Sequence, residues 1–186
     1  RFLAARRLLP AAPASLANSS GIFLGEAYHF DLVRPGAALY GVAPVAGADN
    51  PMRPVVRLQG KVIQTREIEP GTPVGYGHSW HSGRRARIAT VAVGYADGWL
   101  RSLSNQGCAW VGDMALPLVG KVSMDTITLD ASALPDGALR PGSLVELIGE
   151  RQGVDAVAAQ AGTIGYEVLT SLGARYARRY VGEIKA

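Results

Sequence analysis

Between Ala43 and Pro54 the chain reads Ala-Pro-Val-Ala-Gly-Ala-Asp-Asn-Pro-Met-Arg-Pro, and the sequence changes texture across it. Pro44, Pro51 and Pro54 fix φ and remove backbone donors, so neither a helix nor a central strand runs through this stretch. Before it, short apolar runs alternate with loops of small polar residues. After it, β-branched residues take over, punctuated by Gly-Asp, Pro-Asp-Gly and Pro-Gly turns. The 186 residues therefore read as an α/β portion with its linker, 1–50, followed by a mostly antiparallel β domain, 51–186.

In the first portion, Phe2 to Leu9 reads as a helix stopped by Pro10. Gly21 to Leu24 and Phe30 to Pro35 read as two short strands, their ends marked by Ser, Arg and Gly. This is the pattern of the last units of a parallel sheet or a TIM-type βα barrel, where function gathers at the C-terminal ends of strands. A whole barrel needs eight such units, so only its last strands and helices fit here. In the second portion, strands are expected at 55–68, 87–93, 108–111, 116–119, 126–129 and 143–148. Helices are expected at Val154 to Ala161, with Asp155 near its start, and at Tyr166 to Leu172, stopped by Gly173.

Composition narrows the function classes. Cys108 is the one cysteine, which excludes an internal disulfide and a cysteine metal cage and fits a reducing cytoplasm. His29, His78 and His81 are too few and too poorly spaced for a metal site, so none is expected. No apolar run approaches the ~18 residues of a membrane span. The formal charge of +4 comes almost entirely from arginine, in short clusters at 84–87 and 175–179. These read as solvated faces with a few anion contacts; a nucleic-acid surface would want a longer basic stripe with interleaved aromatics. The chain opens on Arg1 with a basic, apolar segment that reads as the tail of a helix in a longer protein, not as a signal peptide.

Five short motifs stand out. Ala17-Asn-Ser-Ser-Gly21 is a small-residue loop able to present N–H groups and hydroxyls to an anion. Val33-Arg-Pro-Gly-Ala37 sets a permanently charged guanidinium at a strand end. In Gly75-Tyr-Gly77 a phenol stands between two residues without side chains, presented with little shielding. Val93-Gly-Tyr-Ala-Asp-Gly-Trp99 repeats the Gly-Tyr theme at a strand end. Gly120-Lys-Val-Ser-Met-Asp125 and Ile164-Gly-Tyr-Glu-Val168 each put one large side chain beside Gly or Ser. Taken singly, each also fits an ordinary turn or a solvated surface residue.

Together and in this order, from about Leu16 to about Arg179, the motifs resemble the C-terminal half of alanine racemase, a fold-type III pyridoxal-phosphate enzyme. The resemblance implies an N-terminal βα barrel and a C-terminal β domain. It implies pyridoxal 5'-phosphate as cofactor, alanine as substrate, and a cytoplasmic homodimer with shared active sites, touching neither nucleic acid nor membrane. It assigns the cofactor phosphate to Ser19, to the backbone N–H groups of Gly36 and Ala37, and to the Tyr166 hydroxyl. Arg34 matches the arginine facing the pyridine nitrogen, and Tyr76 the catalytic tyrosine. Tyr95 matches a residue at the substrate entry, and Met124 one whose backbone meets the substrate carboxylate.

These residue types suit the reaction implied. Racemisation takes the Cα proton from one face and returns one to the other, and two bases on opposite faces achieve it. The resemblance makes Tyr76 one base and the cofactor lysine the other. A free phenol titrates near pH ~10, so the role calls for positive charge nearby. None of Lys61, Lys121 and Lys185 stands in the motif of the cofactor lysine, and the chain by itself is expected to be inactive. Lys121 stands where the family often has Arg, and Ser20 where Ala is common. Two other readings remain open at this point: a racemase of broader substrate range on the same fold, or a non-catalytic β module for dimerisation or anion binding.

Overall fold

A computed structural model describes residues 1–45 and 47–182. Ala46, within the expected linker, and Lys185 lie outside the described residues. The chain divides into two compact units, Arg1–Val56 and Arg57–Ala186.

The first unit opens with helix α1, Phe2–Arg6. It is shorter than the expected helix to Leu9. The N–H groups of Leu8 and Leu9 reach only to Ala5 O and Arg6 O, three residues back, so the last turn tightens before Pro10. The two expected strands are corrected. Gly21 to Leu24 is not extended; α2 spans Ser19–Ile22, because the Asn18 side chain caps it by accepting from Gly21 N at 3.0 Å. Nor is Phe30 to Pro35 a strand throughout, since Phe30 takes φ +53. The parallel pairing lies upstream of Ser19: Asn18 bridges Arg34, Arg34 N donates to Ala17 O at 2.8 Å, and Asp31 N and Leu32 N both reach Ala14 O. Ser19 and Gly36 thus follow two extended segments that run side by side in the same direction. A short 3-10 turn, Ala37–Tyr40, comes next.

In the second unit the strands are β1 (Leu58–Ile68), β2 (Pro73–Val74), β3 (Trp80–His81), β4 (Ala86–Val91), β5 (Cys108–Val111), β6 (Met114–Pro117), β7 (Ile127–Asp130) and β8 (Leu144–Ile148). Six of them form one sheet in the order β6-β5-β8-β1-β4-β7, with every pairing antiparallel. β1 holds the sheet together. Its first half, Leu58 to Lys61, pairs with β8, and Val62 to Ile68 pairs with β4. Irregularities at Leu58/Gln59 and Val62/Gln64 bend it between these partners. The outer strands β6 and β7 also meet, through an antiparallel bridge between Leu118 and Leu129 and a bond from Val119 N to Thr128 O at 2.9 Å. The sheet therefore curls nearly into a barrel, which satisfies edges that would otherwise invite pairing with another chain.

The interior follows from alternation. Leu58, Gly60 and Val62 of β1 point inward, joined by Ala89 and Val91 of β4, Leu129 of β7, and Val145 and Leu147 of β8. The two-stranded β2–β3 hairpin packs Val74 and Trp80 onto a smaller cluster with Ile68, Ala86, Ile88 and Val119. Helix α3, Val154–Ala161, buries Val154, Val157 and Ala158 and packs against α4, Gly165–Ser171. Gln152 ties α3 to the sheet: its Nε2 donates to Leu147 O and Cys108 O, and its Oε1 accepts from Cys108 Sγ and Gln160 Nε2. Burial pushes the Cys108 thiol above its usual range, against weaker opposing bonds with Gln160 and Trp110. No helix among the described residues is long and apolar enough to cross a membrane.

Candidate functional site

In the first unit, Ser19, Arg34, Gly36 and Ala37 come together. Ser19 is buried at the start of α2, and its Oγ accepts from Gly36 N at 2.9 Å and Ala38 N at 3.2 Å. A hydroxyl that accepts two N–H bonds still has its own proton to give. The same backbone turn enters the 3-10 segment at Ala37, and the first N–H groups of such a segment have no partner within it and suit an oxyanion. Arg34 is exposed; its Nη1 donates to Ser15 Oγ at 2.6 Å and its Nη2 to Leu16 O at 3.4 Å. Two anchors fix the guanidinium beside the Ser19 strand end. The donors present suit a phosphate, and the neighbouring cation suits a heteroaromatic nitrogen.

In the second unit, three turns adjoin. The first carries Tyr76 at the tip between β2 and β3. Gly75 has φ +76 and Gly77 φ +67, both in the region that favours glycine, and Tyr76 between them is 71% exposed. Gly75 also lies against the second turn, since a Cβ there would sit 3.1 Å from Lys121 N and 3.4 Å from Gly120 Cα. A Cβ at Gly77 would stand 3.3 Å from Lys121 Nζ, so the Lys121 ammonium lies beside the Tyr76 turn. Gly120 itself is pressed onto the Val74 backbone.

The second turn, 120–125, carries Met124, and the third, Tyr95–Asp97, carries Tyr95. These two are zipped by bonds of 2.9 Å from Tyr95 N to Ser123 O and from Ala96 N to Met124 O. Gly94 has no room for a side chain, because the Ser123 and Met124 carbonyls occupy the place of its Cβ. Tyr95 and Met124 are both exposed on this surface. Tyr166 is exposed on the first turn of α4. The far end of that helix reaches the third turn, where the Ser171 carbonyl packs against Gly98 and Gly173 N donates to Asp97 O at 3.1 Å.

Several residues that hold these turns carried no assignment in the sequence. Asn105, at φ +58, accepts from Gly120 N at 2.6 Å and donates to Ser79 Oγ at 3.3 Å, so it spans the first and second turns. Ser104 Oγ accepts from Val122 N at 3.0 Å. Asp97 is buried; its Oδ2 accepts from Gly94 N at 2.8 Å and its Oδ1 pairs with Arg175 Nε at 3.2 Å. Arg175 Nη2 also reaches Asp125 Oδ1 at 2.7 Å. Burial, and then the charge of Asp97, push the neighbouring Tyr176 phenol well above its usual range. Asp97 and Asp125 lay inside recognised motifs, but nothing in their spacing showed that Arg175 joins them.

The other arginine cluster is a compensated surface. Arg84 pairs with Asp130, Arg85 with Glu67, and Arg87 with Asp136. Among the described residues no group of three His, Cys, Asp or Glu side chains could hold a metal ion.

Comparison with known proteins gives these features a common origin. The family model described as alanine racemase, C-terminal domain, matches residues 55–180, and the one for the N-terminal domain matches residues 1–44. A catabolic alanine racemase of Mesorhizobium japonicum is 61% identical over 177 residues, 95% of this chain and 46% of the relative. An alanine racemase of Brucella canis is 52% identical, over 93% of this chain and 47% of the relative. Among solved structures, alanine racemase from Bartonella henselae with covalently bound pyridoxal phosphate superposes with a TM-score of 0.91 at 47% identity, covering 97% of this chain and 50% of that one. The chain spans about half the length of the curated relatives it matches. Its β domain and the βα segment before it are thus parts of a known two-domain pattern, and the chain belongs to the alanine racemase family.

Proposed function

We propose that this chain supplies the C-terminal half of a pyridoxal-phosphate-dependent alanine racemase, with Tyr76 as one of its two bases. The observation that carries this reading is the Tyr76 turn: an exposed phenol held between two glycines at positive φ, with an ammonium group beside it. A structural tyrosine gains nothing from such exposure. A base that must reach a carbon on a bound substrate requires it.

Ser19, Gly36 and Ala37 would hold the cofactor phosphate through a hydroxyl and backbone N–H groups. When bound, pyridoxal phosphate draws electrons from the Cα–H bond of the amino acid. Arg34 carries a charge that it does not give up as a proton, so at the pyridine nitrogen it would moderate that withdrawal and limit side reactions such as transamination. Assignment of Tyr166 to the phosphate rests on its Gly-Tyr-Glu motif.

Tyr76 Oη would take the Cα proton on one face of the substrate, or return one there. The second base, an amine on the opposite face, would come from the barrel residues of the family that this chain does not carry. Met124 would offer its backbone N–H to the substrate carboxylate; its carbonyl is already fixed by Ala96 N, which sets the tilt of that segment. Lys121 adds positive charge where a carboxylate substrate enters. Tyr95 narrows the approach, which suits a side chain as small as that of alanine. In this reading Tyr76 and Met124 act on the barrel of a second subunit, in a cytoplasmic homodimer.

The test is Tyr76→Phe in the intact, cofactor-loaded enzyme. Loss of a positioned proton-transfer group should lower kcat for alanine racemisation by roughly 10²–10⁴ while the cofactor absorbance stays. Full activity in the variant would refute the assignment.

A further inference from the structure

We infer that Arg175 is a positioning residue for substrate: one guanidinium clamps the Tyr95 turn to the Met124 turn and sets the spacing between the entry ring and the carboxylate-binding backbone. This rests on the assignment of Tyr95 and Met124 to substrate given above.

The geometry is that of a planar fork. Nε meets Asp97 Oδ1 at 3.2 Å, and Nη2 meets Asp125 Oδ1 at 2.7 Å. Asp97 lies two residues after Tyr95 on the same turn, and Asp125 directly follows Met124. The two carboxylates come from different turns and cannot approach each other without a shared cation between them. Asp97 is only 7% exposed and spends its other oxygen on Gly94 N. Without Arg175 it would be a nearly buried charge with one hydrogen bond, an arrangement that relaxes by moving the turn.

Three backbone features make the clamp specific. Tyr95 N and Ala96 N bond to the carbonyls of Ser123 and Met124, so the turns meet along one side. Gly94 is pressed onto the same carbonyls, which leaves no slack there. Arg175 closes the other side. It is also carried on the segment that follows α4, where Gly173 N bonds to Asp97 O and Arg178 Nη2 reaches Leu172 O and Gly173 O at 3.3 Å. The helix that bears Tyr166 is thereby tied to the two substrate-side turns through the chain around Arg175.

An ammonium at this position would keep the charge and lose the fork, because lysine offers a point charge where arginine offers two donors at fixed spacing. Arg175→Lys is therefore the informative variant, made in the intact, cofactor-loaded enzyme beside Asp125→Asn and the double variant. The clamp acts on binding of the carboxylate, not on the base. KM for L-alanine should therefore rise about 5-fold or more in Arg175→Lys with kcat within about 3-fold. Because both variants break one arrangement, the double variant should cost little more than either single one, so their effects on KM are not additive. Amide exchange should quicken at 94–97 and 123–125 together, while β4 and β7 stay protected.

A KM unchanged in Arg175→Lys, or effects of the two single variants that simply add, would overturn the clamp. A fall in kcat at unchanged KM would overturn it too. The Tyr76→Phe control separates this from failure of the parent reading. If the wild-type enzyme racemises alanine and Tyr76→Phe does not, a silent Arg175→Lys sinks the clamp alone. If the wild-type enzyme does not racemise alanine, both fall.

Discussion

Tyr76 could be singled out from sequence because its neighbours are glycines, and both glycines do take positive φ. The residues that aim it could not. Asn105 sits in Ser-Asn-Gln-Gly, a run that reads as a turn, and its two-sided contact with Gly120 and Ser79 depends on turns 15 and 26 residues away in sequence. Arg175 read as part of a basic cluster, and only the fold shows that its charge is spent on Asp97 and Asp125. Tyr176 is a further case, with a buried hydroxyl that has no hydrogen-bond partner among the described residues. Its folded-state phenol stays protonated where an unfolded one ionises, above pH ~10. Over that range the unfolded chain binds fewer protons, so stability falls as pH rises. Tyr176→Phe should flatten this alkaline fall without lowering stability at pH 7, as read from urea midpoints across pH in the intact protein. An unchanged alkaline slope would contradict the burial of that phenol.

At the scale of elements, the β domain was legible because alternation and turn chemistry agree with each other. β5 and α3 have the bounds expected, Cys108–Val111 and Val154–Ala161. The βα segment was less legible. A short apolar run such as Gly-Ile-Phe-Leu fits helix and strand alike, and the cap from Asn18 decides for helix. The β2–β3 hairpin was missed because each of its strands is two residues long, below any periodic signal. Gly60 shows what a strand pattern conceals. It faces the core of β1, and a Cβ there would lie 2.5 Å from Val91 Cγ1 and 3.1 Å from Val93 Cγ2. Gly60→Ala should cost about 1–3 kcal/mol by overpacking, measured by denaturant unfolding of the intact protein, and Val91→Ala should recover part of that loss. A neutral Gly60→Ala would show that the sheet yields more readily than its packing implies.

For the whole molecule, the chain divides into two compact units, Arg1–Val56 and Arg57–Ala186, and the two family models match residues 1–44 and 55–180. The antiparallel near-barrel and the short βα segment agree with the fold class expected from sequence, and the family with the resemblance carried by the five motifs. Under the proposed assignments, Ser19, Gly36 and Ala37 of the first unit would hold the phosphate with Tyr166 of the second, and the base and carboxylate turns stand in the second unit. The central claim is that these are halves of shared sites which need a barrel half to work. The direct measurement is L-alanine to D-alanine conversion with pyridoxal phosphate, by this chain alone and by this chain mixed with an N-terminal barrel half of the family. The account predicts activity in the mixture only, abolished by Tyr76→Phe. Racemisation by the pure chain alone, or a folded and cofactor-loaded mixture that leaves L-alanine unchanged, would contradict it.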